Sequence, residues 1–220
     1  MNIYFIRHGD PDYTTDSLTA LGCEQAEKLA ESLKNLHVDE LYQSSMGRAK
    51  QTCSYCAEKW NIEPVTLEWA KELCWGNKSG DAYATESPWS ISSNWIKNDH
   101  KYPEGENWRE QPELKNDRLT DDIDNRTKEL DKFLAEHGYV REGQLYRVVE
   151  PNDKNIVFVC HGGIISDFLS HLLNIPYFHF IAHIGLHVTS VSKISLGGQT
   201  GDYCAAYLDF LNNTNHLNKL

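Results

Sequence analysis

The sequence predicts an α/β fold: a three-layer α/β/α sandwich on a mainly parallel sheet, with an inserted loop or cap region. Three observations carry this. Strand-like and helix-like patterns alternate along the chain, which is how parallel sheets with helices on both faces are built. Two apolar runs, "IYFIRHG" from Ile3 and "IVFVCHGG" from Ile156, both end on His-Gly. Between them, from Asn77 to about Asn116, periodicity dissolves into Trp, Ser, Asn, Pro and Gly. A connection that long inside a compact domain is usually a lid or binding loop.

In chain order, the opening strand runs into Arg7 and His8. "DSLTALGCEQAEKLAESLKNL" follows, with Leu18, Leu21, Ala26, Leu29, Ala30 and Leu33 at helical spacing. "ELYQSS" is a short strand, "MGRAKQTCSYCAEKW" a helix and "EPVTLEW" an extended segment. Beyond the aperiodic insertion, "LTDDIDNRTKELDKFLAEHG" resumes a helix with Thr120 as a candidate cap. "NIVFVCHGGIISDFLSHLL" reads as a buried strand, a sharp Gly-Gly turn and a helix, and "HVTSVSKISLG" and "DYCAAYLDF" as two closing strands. The 220 residues fit a single domain spanning 1–220.

Composition narrows the function. Hydrophobic residues make up 40% and charged residues 24%, a globular balance. A net charge of −11 repels a nucleic-acid backbone, so any basic site must be local. No apolar stretch reaches the ~18 residues of a membrane span, and Met1 leads directly into a strand with no signal peptide. The six cysteines, Cys23, Cys53, Cys56, Cys74, Cys160 and Cys204, lack a framework spacing. They read as reduced thiols of a cytoplasmic protein.

Arg is almost never fully buried unpaired, so a strand that delivers Arg7 and His8 to its C-terminal edge implies a site there that wants positive charge. Ligands of open α/β sheets sit beyond the strands' carboxyl ends. If the two His-Gly strands are neighbours, His8 and His161 face each other across one crevice. Gly162 opens a helix, whose N-terminus attracts anions. Two imidazoles, Arg7 and that helix describe a phosphoryl pocket.

Five ordered pieces resemble the histidine phosphatase superfamily, with its phosphoglycerate mutase-like fold. They are "RHGD", "DSLTALGCEQA" (similar to LTxxGxxQA), "SSMGRAKQT", "AKELCWGNKSG" (similar to LREIxxGxxxG) and "CHGGII". Asn77 to Pro151 is unmatched apart from a generic helix. The resemblance implies that His8 is a nucleophile passing through phosphohistidine, and that Arg7, Arg48 and His161 bind the phosphoryl oxygens. Glu72 would be the acid–base, with Glu68 the alternative should the register slip. No cofactor and no metal are implied, since the cations do the work that a metal does in many phosphatases. Asp10 departs from the Glu or Gln usual after RHG and reads as structural.

Other features have plainer readings. Cys53 and Cys56 form one CxxC without a second pair, and Cys53 falls on an apolar helix face. His179, His183 and His187 are four apart, but Gly185 interrupts the helix and no carboxylate accompanies them; His183 at the pocket border is the better role. Trp75, Trp89, Trp95 and Trp108 either pin the insertion to the core or line a substrate pocket. Thr14 stands where mutases of the family carry asparagine, and the insertion offers scattered bases such as Lys97, Lys101 and Arg109 and no basic cluster. The expected function is therefore hydrolysis of a small phosphomonoester, with a substrate pocket including Thr14, Trp75 and His183. A phosphoglycerate mutase is the alternative, and a non-catalytic phospho-ligand module a third reading.

Overall fold

The computed structural model describes residues 1–217. The first strand, β1 (Asn2–Arg7), leads through two short strands, β2 (Pro11–Asp12) and β3 (Ser17–Leu18), into α1 (Ala20–Leu33). Then come β4 (Glu40–Ser44), α2 (Gly47–Trp60), β5 (Val65–Leu67), α3 (Pro88–Asn94) and α4 (Leu119–Glu136). The hairpin β6 (Tyr139–Glu142) and β7 (Leu145–Val148) precedes β8 (Asn155–Cys160), α5 (Gly162–Leu173) and α6 (Tyr177–His183). β9 (Val191–Ser195), β10 (Tyr203–Cys204) and β11 (Tyr207–Asn213) close the chain.

The main sheet has six strands in the order β11-β9-β1-β8-β4-β5. β1, β8, β4 and β5 run parallel, whereas β9 and β11 add an antiparallel edge. Alternation within the two central strands explains the three layers. Ile3, Phe5, Ile156 and Phe158 face one apolar layer, built with α4 and α5. Ile6, Val157 and Val159 face the other, where Leu29 and Ala30 of α1 meet Cys53 and Cys56 of α2. Each Ile, Val, Leu or Phe among them, once buried, contributes roughly 1.5–3 kcal/mol. All six cysteines are free thiols.

Several expectations are corrected. The α1 helix starts later than its apolar spacing implies: Thr19 caps it, its Oγ1 accepting from Gly22 N at 3.0 Å, Leu18 lies on β3 and Leu21 is exposed. Thr120 is not the cap of α4. Arg118 holds the cap position, and the buried carboxylate of Asp117 just before it accepts from the first helical amide, Leu119 N, at 2.9 Å. "DYCAAYLDF" is split between two sheets, β10 pairing with β7 and β11 with β9. The β6–β7 hairpin, turning at Gly143 with φ +64°, is hidden in the sequence because its strands are four residues each and carry three charges.

The insertion is helical rather than structureless. It holds α3, a π-turn over Trp95–Asp99 and a 3₁₀ turn over Gly105–Glu110. Ser87 caps α3 and Pro88 takes its first position, where a missing N–H costs nothing. Polar residues dominate its sequence because most of it is surface, yet its few apolar groups anchor it firmly. Trp95 and Trp108 are buried against Phe178 of α6, with ring centroids 4.7 and 5.1 Å away. No helix among the described residues is long and apolar enough to cross a membrane.

Candidate active site

The β1–β8 register pairs Arg7 with Cys160, and His8 N donates to Cys160 O at 2.9 Å. Parallel pairing thereby sets the next residues, His8 and His161, side by side, with ring centroids 5.1 Å apart. Both rings are buried. His8 Nδ1 meets Gly9 O at 2.7 Å, which assigns the proton to Nδ1 and leaves Nε2 with its lone pair. Arg48 Nε approaches that Nε2 at 3.3 Å from the first turn of α2. Burial is the main reason that His8 is driven down to about 4, and the charges of Arg7 and Arg48 add to it. His161 is held well below the usual imidazole value for the same first reason, with His8 and the two arginines contributing.

Two donors in this cluster lack acceptors. Arg7 Nε is buried and unpartnered, although Nη1 of the same guanidinium donates to Leu186 O. Ser44 Oγ accepts from Met46 N at 3.2 Å and turns its own O–H to His161 Nε2 at 2.8 Å, which assigns the ring proton to Nδ1, buried without a partner. Buried donors are normally satisfied, so such orphans mark a place where an acceptor binds.

Glu72 occupies the N-terminus of α5. Its carboxylate accepts from Gly163 N at 3.2 Å, from Ile164 N at 3.0 Å and from Leu73 N at 2.9 Å. The side chain of Glu72 thus takes two of the first amides of this helix, Gly163 N and Ile164 N, while Gly162 stays in the cavity wall beside Arg7. A Cβ on Gly162 would lie 3.2 Å from Arg7 Nε, and one on Gly163 would lie 2.5 Å from Glu72 Oε1. Burial pushes the Glu72 carboxyl up, and this outweighs the three amides and Arg7, which pull it down. Glu68, the alternative acid, is paired with Lys71 on an exposed turn, so the register does not slip. Asp10 ties β1 to the start of α1, accepting from Thr19 Oγ1 at 2.6 Å.

A cavity of about 820 Å³ adjoins this cluster, with Arg7, Arg48, Glu72, Gly162 and Gly163 in its wall and the buried rings of His8 and His161 behind that lining. A model of the histidine phosphatase superfamily (branch 1) matches residues 3–142. The chain belongs to this superfamily. The match runs through the cap, which the five motifs leave uncovered, and stops before His161. A protein named "Probable phosphoglycerate mutase GpmB" from Proteus mirabilis is 29% identical over 119 residues, 48% of this chain and 55% of that protein. The alignment thus spans little more than half the mutase-named relative. A "Probable phosphatase" of Schizosaccharomyces pombe is 25% identical over 82% of this chain and 77% of its own. Among solved structures, mycobacterial glucosyl-3-phosphoglycerate phosphatase superposes with a TM-score of 0.65 at 22% identity, covering 96% of this chain and 98% of that one. Phosphoserine phosphatase from Entamoeba histolytica gives 0.66 at 19% identity, covering 98% of each. These two likenesses speak to the histidine phosphatase fold.

The pocket expectations fare unevenly. Trp75 lines the cavity, as does Trp89, whereas Trp95 and Trp108 pin the cap; the four tryptophans divide between the two readings. Thr14 is exposed in a turn closed by its amide donating to Asp12 Oδ1 at 2.9 Å, and its neighbour Tyr13 lines the cavity instead. His183 is not in the cavity wall: it meets Tyr102 OH at 2.8 Å, while His179 meets Pro103 O at 2.7 Å. These two histidines fasten the cap to α6. No group of three or more potential ligand side chains is placed for a metal among the described residues. Sequence reasoning misses Asp16, which is ion-paired with Arg48 and accepts from Gly47 N at 2.7 Å. Its one local signal is Gly47, where a Cβ would fall 2.2 Å from Asp16 O.

Proposed function

We propose that this chain is a single-domain cytoplasmic phosphatase that hydrolyses a small phosphomonoester through a phosphohistidine on His8, without a metal or cofactor. The observation that carries the reading is the pair of orphaned donors, Arg7 Nε and His161 Nδ1, beside a neutral His8 whose Nε2 lone pair is free of a proton. A phosphoryl group supplies the acceptors they lack. Arg7 and Arg48 neutralise its charge, which otherwise repels any nucleophile.

His8 Nε2 attacks phosphorus as the bond to the leaving oxygen breaks, and Glu72 gives its proton to that oxygen. Water then attacks the phosphohistidine, Glu72 takes a proton from it, and the N–P bond breaks to release phosphate. A carboxyl pushed up by burial is suited to the first proton transfer. A purely phospho-binding module has no use for an acid in this position. The overall charge of −11 disfavours nucleic acid as a partner.

The kinship with a mutase-named protein of Proteus mirabilis favours a second reading, phosphoglycerate mutase. A mutase must hold a carboxylate while phosphate is returned to the sugar acid. Arg7 and Arg48 are the only cations in the cavity wall among the described residues, and both are committed to phosphate. A screen of phosphorylated metabolites scored for phosphate release, after EDTA dialysis and without bisphosphoglycerate, should find at least one substrate. Rapid interconversion of 2- and 3-phosphoglycerate, dependent on the bisphosphate, would establish the mutase instead. Activity lost in EDTA and restored by a divalent metal would overturn the cationic mechanism.

A further inference from the structure

Resting on the phosphatase reading, the structure assigns the substrate class: we infer that the leaving group is an uncharged, planar apolar alcohol, of the aryl or fused-ring kind. Besides the phosphoryl-binding groups, the cavity wall is largely aromatic and aliphatic, with Trp75, Tyr83, Trp89 and Ile184, and with Tyr13 under Arg48 and Leu186 beside Arg7. Its volume of about 820 Å³ greatly exceeds what a phosphoryl group fills. Trp75 stands edge-on to Tyr83, with centroids 4.6 Å apart and planes at 82°, and edge-on to Trp89 at 6.0 Å and 83°. Tyr83 is 49% and Trp89 37% exposed, so the structure leaves ring faces open to the cavity and to solvent. Exposed aromatic surface gathered around one cavity marks a binding surface rather than a core.

This wall is built to hold its shape. Tyr83 adopts φ +63°, a left-handed conformation uncommon for a bulky residue and often found at ligand clamps. Its amide donates to Trp75 O at 2.8 Å, and Gly76, at φ +114°, lets the two segments close. Gly76 N in turn donates to both oxygens of buried Asp117, at 3.1 and 2.9 Å, and Thr85 Oγ1 donates to the same carboxylate at 3.0 Å. Arg118 donates to Gly76, Asn77 and Gly80 carbonyls. Rigid aromatic walls bind planar apolar groups with little ordering cost.

Charge excludes the alternatives. A bound phosphoryl group of about −1.5 to −2 cancels Arg7 and Arg48. The acidic side chains left in the wall are Asp16, whose carboxyl is held low, and Glu72, which must carry its proton to act. A leaving group bearing a carboxylate meets no free cation there and faces two acids. A sugar leaving group has only the hydroxyls of Tyr13 and Tyr83 and the indole N–H groups of Trp75 and Trp89 to meet its several hydroxyls, since Ser166 Oγ is already donated to Gly162 O.

The test compares kcat/KM by phosphate release for 1-naphthyl phosphate, glucose 6-phosphate, phosphoserine and 3-phosphoglycerate. The naphthyl ester should exceed each of the others at least tenfold. Trp89→Ala should lower its kcat/KM about tenfold, chiefly through KM, and compress that preference. Tyr83→Leu, at a half-exposed position where folding is not at stake, should compress it in the same direction. Equal or faster turnover of phosphoserine, 3-phosphoglycerate or glucose 6-phosphate overturns the substrate class and leaves the phosphatase reading intact. Phosphate release from none of the four, with no phosphoenzyme formed, overturns both.

Discussion

Asp16 accepts a hydrogen bond from Nη1 of Arg48, whose Nε in turn donates to His8 at 3.3 Å. The guanidinium is thus fixed from outside before any ligand arrives. Burial opposes ionisation of Asp16, but hydrogen bonds from Gly47 N and Arg48 outweigh it and hold the carboxyl below its ordinary value. Asp16 acts through Arg48, as a positioning residue.

Asp16→Ala should therefore raise KM and lower kcat, each by about tenfold, and weaken competitive inhibition by inorganic phosphate, the size expected when a charge-assisted bond worth roughly 1.5–3 kcal/mol is removed. Asp16→Asn retains the acceptor for Gly47 N and should recover part of the loss. Kinetics identical to wild type in both variants would show that Arg48 needs no such support.

His8→Ala should abolish turnover while circular dichroism stays native. An acid-labile phosphoenzyme should be trapped on wild type after rapid quenching and be missing from the variant. His161→Ala should retain the nucleophile and lose a donor to the developing charge, a reduction on the order of 10²–10³ in kcat. Phosphoenzyme formed by His8→Ala would reassign the nucleophile.

The facing histidines were legible because strand, turn and residue type all converge: two apolar runs ending on His-Gly can pair only if the sheet brings their ends together. The family resemblance singled out Glu72, but not its seat on α5, since nothing local in "AKELC" reports a helix ninety residues later. The pocket residues were least legible. Thr14 and Tyr13 are adjacent in sequence, and which of them faces the cavity depends on the Asp12 turn and on Asp16 at φ +49°. Polar spacing hid the cap's helices, because their large apolar anchors are few: Ile91, Trp95 and Trp108 are buried in a segment whose other residues are mostly polar and exposed. The tryptophans' division of labour is a tertiary fact that composition cannot carry.

The pH dependence follows from two groups with opposite demands. His8 must be neutral to attack, so kcat/KM should fall as pH drops through about 4. Glu72 must be protonated to serve the leaving oxygen, so kcat/KM should also fall on the alkaline side, through a value above 4.5. The profile should be a bell, read after correcting for the substrate's own second ionisation near pH ~6. Glu72→Gln should be slow and lack the alkaline limb. A variant that keeps that limb would assign it to another group.

Gly163 separates the site's chemistry from its folding. It is the second residue of α5, where alanine is acceptable to the helix, but a Cβ there would lie 2.5 Å from Glu72 Oε1 and 3.1 Å from Trp89 Cη2. One of these side chains must yield, and Glu72 is the one held at that spot by amides alone. Gly163→Ala should leave circular dichroism native and shift Tm by only a few degrees, while kcat falls by the 10²–10⁴ that a misplaced general acid costs. Gly197→Ala is the control: no heavy atom lies within 4 Å of its Cβ position, and its kinetics should match wild type. Since protonation of the leaving oxygen matters most for poor leaving groups, the loss in Gly163→Ala should shrink with an activated nitrophenyl ester. An equal loss on both kinds of ester would point instead to damage at Arg7 or His8, and Glu72 would then lose its place as the acid.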